Sequence, residues 1–290
     1  MSAPAPADVK GRVAVITGAA RGMGRAYVRG FLSAGARVVA ADRSWGGVDD
    51  LREELRSNDH VLMLEMDVTD SAQIERAYQA TLERFRTVDV LVNNAAMRQR
   101  DLFPPAGRVT TLQTRDSDWE RMFAVNIFGC LKVIRRFIQP MVEKRLGSIV
   151  NIVSSGILNH SHGGAYMALR PHTREMPYMS SKAALATLSF YLADEVKEHN
   201  IAVNIVVPGH TRTTGFDEQN RARLAQGMSP GRQPLVPEHV VPLVLYLASQ
   251  CADTLTGRMF DALQWNIEHG LGGAERWADG SFSYDALLAR

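Results

Sequence analysis

The chain has 290 residues, 46% hydrophobic and 22% charged, with 33 Lys and Arg against 31 Asp and Glu for a formal net charge of +2. So even a balance, with the basic residues scattered, excludes the concentrated basic field that nucleic-acid binding needs. No stretch approaches the roughly 18 apolar residues of a membrane span, and the opening residues lack the basic and apolar regions of a secretory signal, so a cytoplasmic protein is expected.

Residues 1–10 hold two Pro and three Ala without periodicity and read as a mobile tail. From there, short Val/Ile-rich runs at 13–17, 37–42, 61–66, 88–92, 148–153, 201–206 and 258–261 read as strands. Helix-period patterns lie between them near 22–34, 49–57, 71–86, 116–143, 178–199 and 237–249. Strands alternating with helices of that length predict a doubly wound parallel sheet of about seven strands, with helices on both faces. No repeat, low-complexity stretch or linker interrupts it, so residues 11–262 are read as one domain. An extension over 263–290 is expected to pack on that domain or on a neighbouring subunit. Cys130 and Cys251 each fall inside an apolar helical pattern and read as buried small hydrophobes, not as a disulfide or metal site. No metal is expected. Ligands of such sheets bind where the strands end, so the loops leaving those ends are the place to look for chemistry.

The first such loop is rich in glycine. Val13-Ala-Val-Ile-Thr17 runs into Gly18-Ala-Ala-Arg21-Gly22-Met23-Gly24 and then an amphipathic helix. Glycines at that junction permit a tight turn and bring backbone close to a pyrophosphate, which then rests on the helix N-terminus. The second strand ends in Asp42, where a carboxylate can bind both adenosine-ribose hydroxyls and repel a 2′-phosphate. That favours NAD, while Arg21 and Arg43, either of which can pair with a 2′-phosphate, keep NADP open.

Tyr178-Met-Ser-Ser-Lys182 opens a long helical pattern. Residues i and i+4 share a helix face, so phenol and ammonium are neighbours, and the cation is expected to favour tyrosinate and lower the phenol pKa towards useful acid–base chemistry. Tyr166 and Arg170 have the same spacing but are followed by Pro171, which interrupts a helix. His160, His162 and His172 have no metal-ligand spacing.

Taken together, Thr17 to Gly24, Asp67-Val68, Asn93-Asn94-Ala95-Ala96, Asn126, Ser154, Tyr178-x3-Lys182 and Pro208-Gly209-His-Thr211-Arg-Thr213 resemble the short-chain dehydrogenase/reductase superfamily in its short single-domain subclass, over about residues 10–262. The resemblance implies a Rossmann-like fold and an oxidoreductase that moves hydride between a nicotinamide cofactor and a secondary alcohol or ketone. It implies that Tyr178 is the acid and base, Lys182 binds the nicotinamide ribose and lowers the Tyr178 pKa, and Ser154 holds the substrate oxygen. Asn126 would anchor a water in a proton relay. Asp67 and Val68 would contact adenine, Asn93 and Ala95 would line the adenosine side, and Pro208, Gly209, Thr211 and Thr213 would line the nicotinamide. A homo-oligomer, a dimer or tetramer paired through the two long helices, is implied in the same way.

Several features depart from that pattern. Ser154 and Tyr178 stand 24 positions apart, farther than the resemblance predicts. The segment between Ala96 and Asn126 is also longer, Ala96 replaces a glycine, and the 263–290 extension carries Trp265, Trp277, Phe282 and Tyr284. These additions are expected either to roof an apolar pocket for a bulky or cyclic substrate or to pack at a subunit interface. The competing functions are a non-catalytic dinucleotide sensor or scaffold on the same fold and a 3-oxoacyl-thioester reductase.

Overall fold

A computed structural model describes residues 7–157 and 173–288. Seven strands form a single parallel sheet: β1 (Val13–Thr17), β2 (Arg37–Asp42), β3 (Val61–Glu65), β4 (Val90–Asn93), β5 (Gly147–Ile152), β6 (Ile201–Val207) and β7 (Met259–Asp261). Their order is β3-β2-β1-β4-β5-β6-β7. The chain runs outward from β1 in one direction, then crosses back to β4 on its other side. That reversal, between β1 and β4, leaves a crevice at the strand ends.

Strand residues alternate between two cores, as the two-residue side-chain period requires. Val13 and Val15 face one core with helices α3 (Ser71–Phe85), α6 (Cys130–Phe137) and α8 (Tyr178–Glu195). Ala14 and Ile16 face the other, with α1 (Gly22–Ser33), α2 (Asp49–Arg56), α10 (Val241–Ala248) and α11 (Ala262–Glu268). The remaining helices are α4 (Gln99–Leu102), α5 (Asp116–Phe123), α7 (Gln139–Lys144), α9 (Phe216–Ala225), α12 (Ala274–Trp277) and α13 (Tyr284–Leu288). No helix among the described residues is long and apolar enough to cross a membrane.

Local differences from the sequence reading have identifiable causes. β4 starts at Val90 rather than residue 88, because the preceding Asp89 spends its carboxylate on Val13 N at 2.7 Å. The 116–143 pattern is one helical path broken into α5, a π turn at Ala124–Gly129, α6 and α7. Of the segment 1–10 expected to be mobile, residues 1–6 lie outside the described residues, while Val9 is fully buried and its carbonyl accepts from Arg12 N at 3.0 Å. Cys251 is not in a buried helix. It lies beyond the end of α10, half-buried, with its sulfur 3.7 Å from Thr254 Oγ1.

The described part of the C-terminal extension lies on this same chain. Trp265 is buried against α10, its ring tilted against Tyr246 at 5.4 Å between centroids. Farther on, Phe282 and Leu287 close a small apolar cluster with Phe216 of α9, the two Phe rings meeting edge-on at 5.5 Å. Arg212, just before α9, bridges Asp217 at 2.6 Å and Asp279 of the extension at 3.0 Å.

Candidate active site

The loops leaving β1, β2, β3, β4, β5 and β6 line one cleft of about 650 Å³ at the sheet's switch point. Its floor is the glycine loop. Gly18 has φ +65°, a left-handed conformation that favours glycine. At Gly24 a Cβ would sit 1.9 Å from Gly18 O, so only glycine lets α1 start this close to the strand end. The residue before α1, Arg21, caps nothing with its side chain, which instead donates to Gly46 O. The first-turn N–H groups of α1 therefore have no side-chain cap, an arrangement suited to a phosphate. Gly18, Arg21, Gly22 and Met23 line the cleft, and Gly24 lies beneath it.

At the rim, Asp42 accepts from Ala20 N at 2.9 Å through one oxygen and from Ser44 N at 3.2 Å through the other. Arg43 beside it is exposed. Asp67 and Val68 close the next side. Asp67 Oδ1 accepts from Thr69 N and Oγ1 at 2.8 and 2.7 Å, while its own N–H donates to Gln73 Oε1 at 2.9 Å.

Asn93 does not reach the cleft. It is buried at the end of β4 and donates to Asn151 Oδ1 of the neighbouring strand β5 at 2.8 Å. Its neighbour Asn94 lines the cleft instead. The Asn94 amide donates to Thr17 O at 2.9 Å and Gly18 O at 3.0 Å, and Thr17 Oγ1 accepts from both Asn94 N and Ala95 N at 3.0 Å. Sequence reasoning quoted Asn94 without giving it a role; its place one residue past the strand end was the available signal.

On the far side stand Ser154, Tyr178 and Lys182, with Pro208, Gly209, Thr211 and Thr213 opposite. Tyr178 is the first residue of α8 and Lys182 lies one turn on. Lys182 is buried and donates from Nζ to Ile152 O at 2.9 Å. Burial pushes its ammonium down to about 8. The phenol does not show the expected lowering. Burial, with Glu175 adding to it, pushes Tyr178 up to about 12, against the pull of Arg98, a hydrogen bond with Ser154, and Arg100. Lys182 sends its ammonium to the Ile152 carbonyl, 5.9 Å from the centre of the phenol ring.

Asn126 stands behind the cleft wall. Its Oδ1 accepts from Met97 N at 2.8 Å, and its Nδ2 donates to Met97 O at 3.0 Å and to Ser181 Oγ at 2.9 Å. It is held in the π turn, a helix irregularity that often marks functional sites. The structure thus brings Asn126 beside α8 through Ser181, one residue from Lys182, and fastens the segment after β4.

That segment supplies residues the sequence did not single out. Met97, Arg98 and Asp101 line the cleft, with Arg98 paired to Asp101 at 3.3 Å. Arg100 reaches across to Thr214 O, Thr213 Oγ1 and Gln219 of α9, and burial lowers its guanidinium to about 10. No described residue of the C-terminal extension is among those lining the cleft; Phe282 and Leu287 pack on Phe216 of α9 instead. The segment with His160, His162, Tyr166, Arg170, Pro171 and His172 lies outside the described residues. Among the described residues no group of three or more His, Cys, Asp or Glu side chains gathers as metal ligands.

Comparison with known proteins agrees with this geometry. Residues 12–224, well over half of the chain, match the family described as short chain dehydrogenase. A fluoren-9-ol dehydrogenase from Terrabacter sp. (strain DBF63) is 50% identical over 272 residues, covering 94% of this chain and 76% of that protein. A 3-oxoacyl-[acyl-carrier-protein] reductase FabG from Escherichia coli (strain K12) is 30% identical over 253 residues, covering 86% of this chain and 95% of the relative. Among solved structures, a 3-ketoacyl-(acyl-carrier-protein) reductase from Brucella melitensis complexed with NADH superposes with a TM-score of 0.71 at 25% identity, over 87% of this chain and 97% of that one.

Proposed function

The chain belongs to the short-chain dehydrogenase family, and on that premise we propose that it interconverts a bulky cyclic secondary alcohol and its ketone, with NAD as the hydride carrier. It is an oxidoreductase of the CH–OH group. One observation carries the finer reading: Ser154, Tyr178 and Lys182 share a single cleft with a glycine cradle and the Asp42 carboxylate.

The residues present fit a dinucleotide. Gly18, Arg21, Gly22, Met23 and the first-turn N–H groups of α1 would hold the pyrophosphate, over a loop that a Cβ at Gly24 would fill. Asp42 would accept from the adenosine ribose. Asp67 and Val68 would flank the adenine, Ala95 the adenosine side, and Pro208, Gly209, Thr211, Thr213 and Lys182 the nicotinamide end. The carboxylate at position 42 favours NAD; Arg43, exposed beside it, is the cation a 2′-phosphate would meet. When bound, the cofactor accepts or delivers the hydride.

The chain's own residues handle the proton. The Ser154 hydroxyl holds the substrate oxygen against the phenol. Tyr178 takes the hydroxyl proton as the alcohol is oxidised and returns it as the ketone is reduced. Lys182, with the Asn126 amide reached through Ser181, stands behind the phenol on the route by which that proton meets solvent.

The fluoren-9-ol dehydrogenase relative supports a flat, bulky cyclic substrate. Phe128 on the π turn and Tyr191 on α8 are 56% and 70% exposed, which supports a homo-oligomer joined through these two helical stretches. Two unpaired cysteines fit the cytoplasm. The test is a panel of cyclic, aromatic and aliphatic alcohols and ketones followed by the absorbance of NADH and NADPH. Turnover of fluoren-9-ol or a similar polycyclic alcohol with NAD is expected. Preference for linear 3-oxoacyl thioesters, or no turnover of any member, would overturn the reading.

A further inference from the structure

Gln99, the first residue of α4, is only 2% exposed, and neither end of its amide faces the cleft. Its Nε2 donates to Met176 O at 2.6 Å, and its Oε1 accepts from Tyr178 N at 3.2 Å. Tyr178 N is the first N–H of α8, a group without a partner inside its own helix. Pro177 before it has no side chain to cap it. The cap comes instead from a residue 79 positions earlier in the chain, and it lands on the residue that carries the phenol.

A buried glutamine with both ends bonded is not free to turn, because any other orientation strands a polar group. It therefore fixes two backbone atoms on either side of Pro177. Its neighbours act in the same place: Arg98 lines the cleft with Tyr178, and Arg100 ties α4 to the loop ahead of α9. Glu175, three residues before Tyr178, is paired with Arg223 at 2.6 Å.

We infer that Gln99 is a positioning residue for Tyr178: its clamp on Met176 O and Tyr178 N sets where the phenol stands relative to Ser154 and the substrate oxygen. The inference rests on the reading of Tyr178 as the acid–base group. It is tested in the full-length enzyme with Gln99→Leu and Gln99→Glu, alongside Tyr178→Phe. Gln99→Leu should lower kcat about tenfold or more, since small misplacements of a reacting group are costly. It should also shift the pH profile of alcohol oxidation while leaving the Kd for NAD within about twofold. Gln99→Glu keeps an acceptor for Tyr178 N and loses the donor to Met176 O. Its kcat relative to the parent should recover as pH falls and the carboxyl regains a proton.

Where Gln99→Leu fails to fold, Gln99→Glu decides alone. Unchanged kcat and pH profile in the Gln99 variants, with Tyr178→Phe inactive, overturns this inference and leaves the acid–base reading standing. So does a loss of kcat matched by an equal loss of cofactor affinity with no change in profile. Full turnover by Tyr178→Phe overturns the reading underneath.

Discussion

Lys182 Nζ lies 5.9 Å from the centre of the Tyr178 ring and donates to Ile152 O rather than towards the phenol. Burial acts on the two groups in opposite senses, raising the phenol to about 12 and lowering the ammonium to about 8. In each it disfavours the charged form. Alcohol oxidation needs the phenol as base, so its kcat should climb from neutral into alkaline pH. Ketone reduction needs the phenol as donor, and because the phenol keeps its proton until the pH nears about 12, the reduction rate should stay level over the same range. Steady-state rates in both directions across pH check this; an oxidation profile that is flat above neutrality contradicts it.

Tyr178→Phe keeps the ring and removes the hydroxyl proposed to carry the proton. Turnover should fall by about 10²–10⁴-fold, the usual worth of a positioned acid or base. NADH affinity, read from fluorescence titration, should stay close to the parent's, because the glycine loop and Asp42 are untouched.

Lys182→Met separates stability from activity. With its folded pKa lowered to about 8 from 10.5, Lys182 is a buried cation whose cost is fully present below pH 8. Between the two values the unfolded chain holds a proton that the native chain releases, so this group's contribution to stability improves as pH rises. The variant should be inactive yet melt a few degrees higher than the parent near pH 7, with the gap narrowing by pH 10. A lower Tm at pH 7 would mean that the bond to Ile152 O outweighs the burial cost.

Besides its proposed role at the adenosine ribose, Asp42 accepts from Ala20 N in the glycine loop. Asp42→Ala should therefore raise KM for NAD by about tenfold or more, as expected when a charged hydrogen-bond partner is removed, and narrow the preference over NADP. Comparing kcat/KM with both cofactors is the check. An unchanged preference would remove this carboxylate from cofactor choice.

Much of this architecture could be read from local pattern. The alternation in Val13-Ala-Val-Ile-Thr17, the glycines after it and the Tyr178–Lys182 spacing are short-range features, so the sheet, the loop and the phenol–ammonium pair were legible. Pairings made across the fold were not. Gln99 meets Tyr178 only after β5 has intervened, and Asn126 meets Met97 from 29 residues further along the β4–β5 connection. Whether Asn93 or Asn94 faces the cleft turns on where β4 stops, and sequence patterns place strand ends poorly. The expected phenol pKa erred because spacing along a helix says nothing about what the ammonium bonds to or how deep both groups lie.

The C-terminal extension should act on substrate rather than cofactor. Phe282 supports Phe216 at the start of α9, and Arg212 binds Asp279. Phe282→Ala should raise KM for a bulky ketone severalfold and leave KM for NADH alone, with a Tm lower by a few degrees. Equal rises in both KM values would show that the extension stabilises the whole cleft instead.

Asn94 joins two strand ends with one side chain, bonded to Thr17 O and Gly18 O while its own backbone meets the Thr17 hydroxyl. The consequence is a one-sided molecule. The corner between β1 and β4 is tied by these bonds, whereas the α9 side rests on the small cluster of Phe216, Phe282 and Leu287 and on the part-buried ion pairs of Arg212. On the proposed reading, substitutions in that satellite cluster would spare the seat of the dinucleotide.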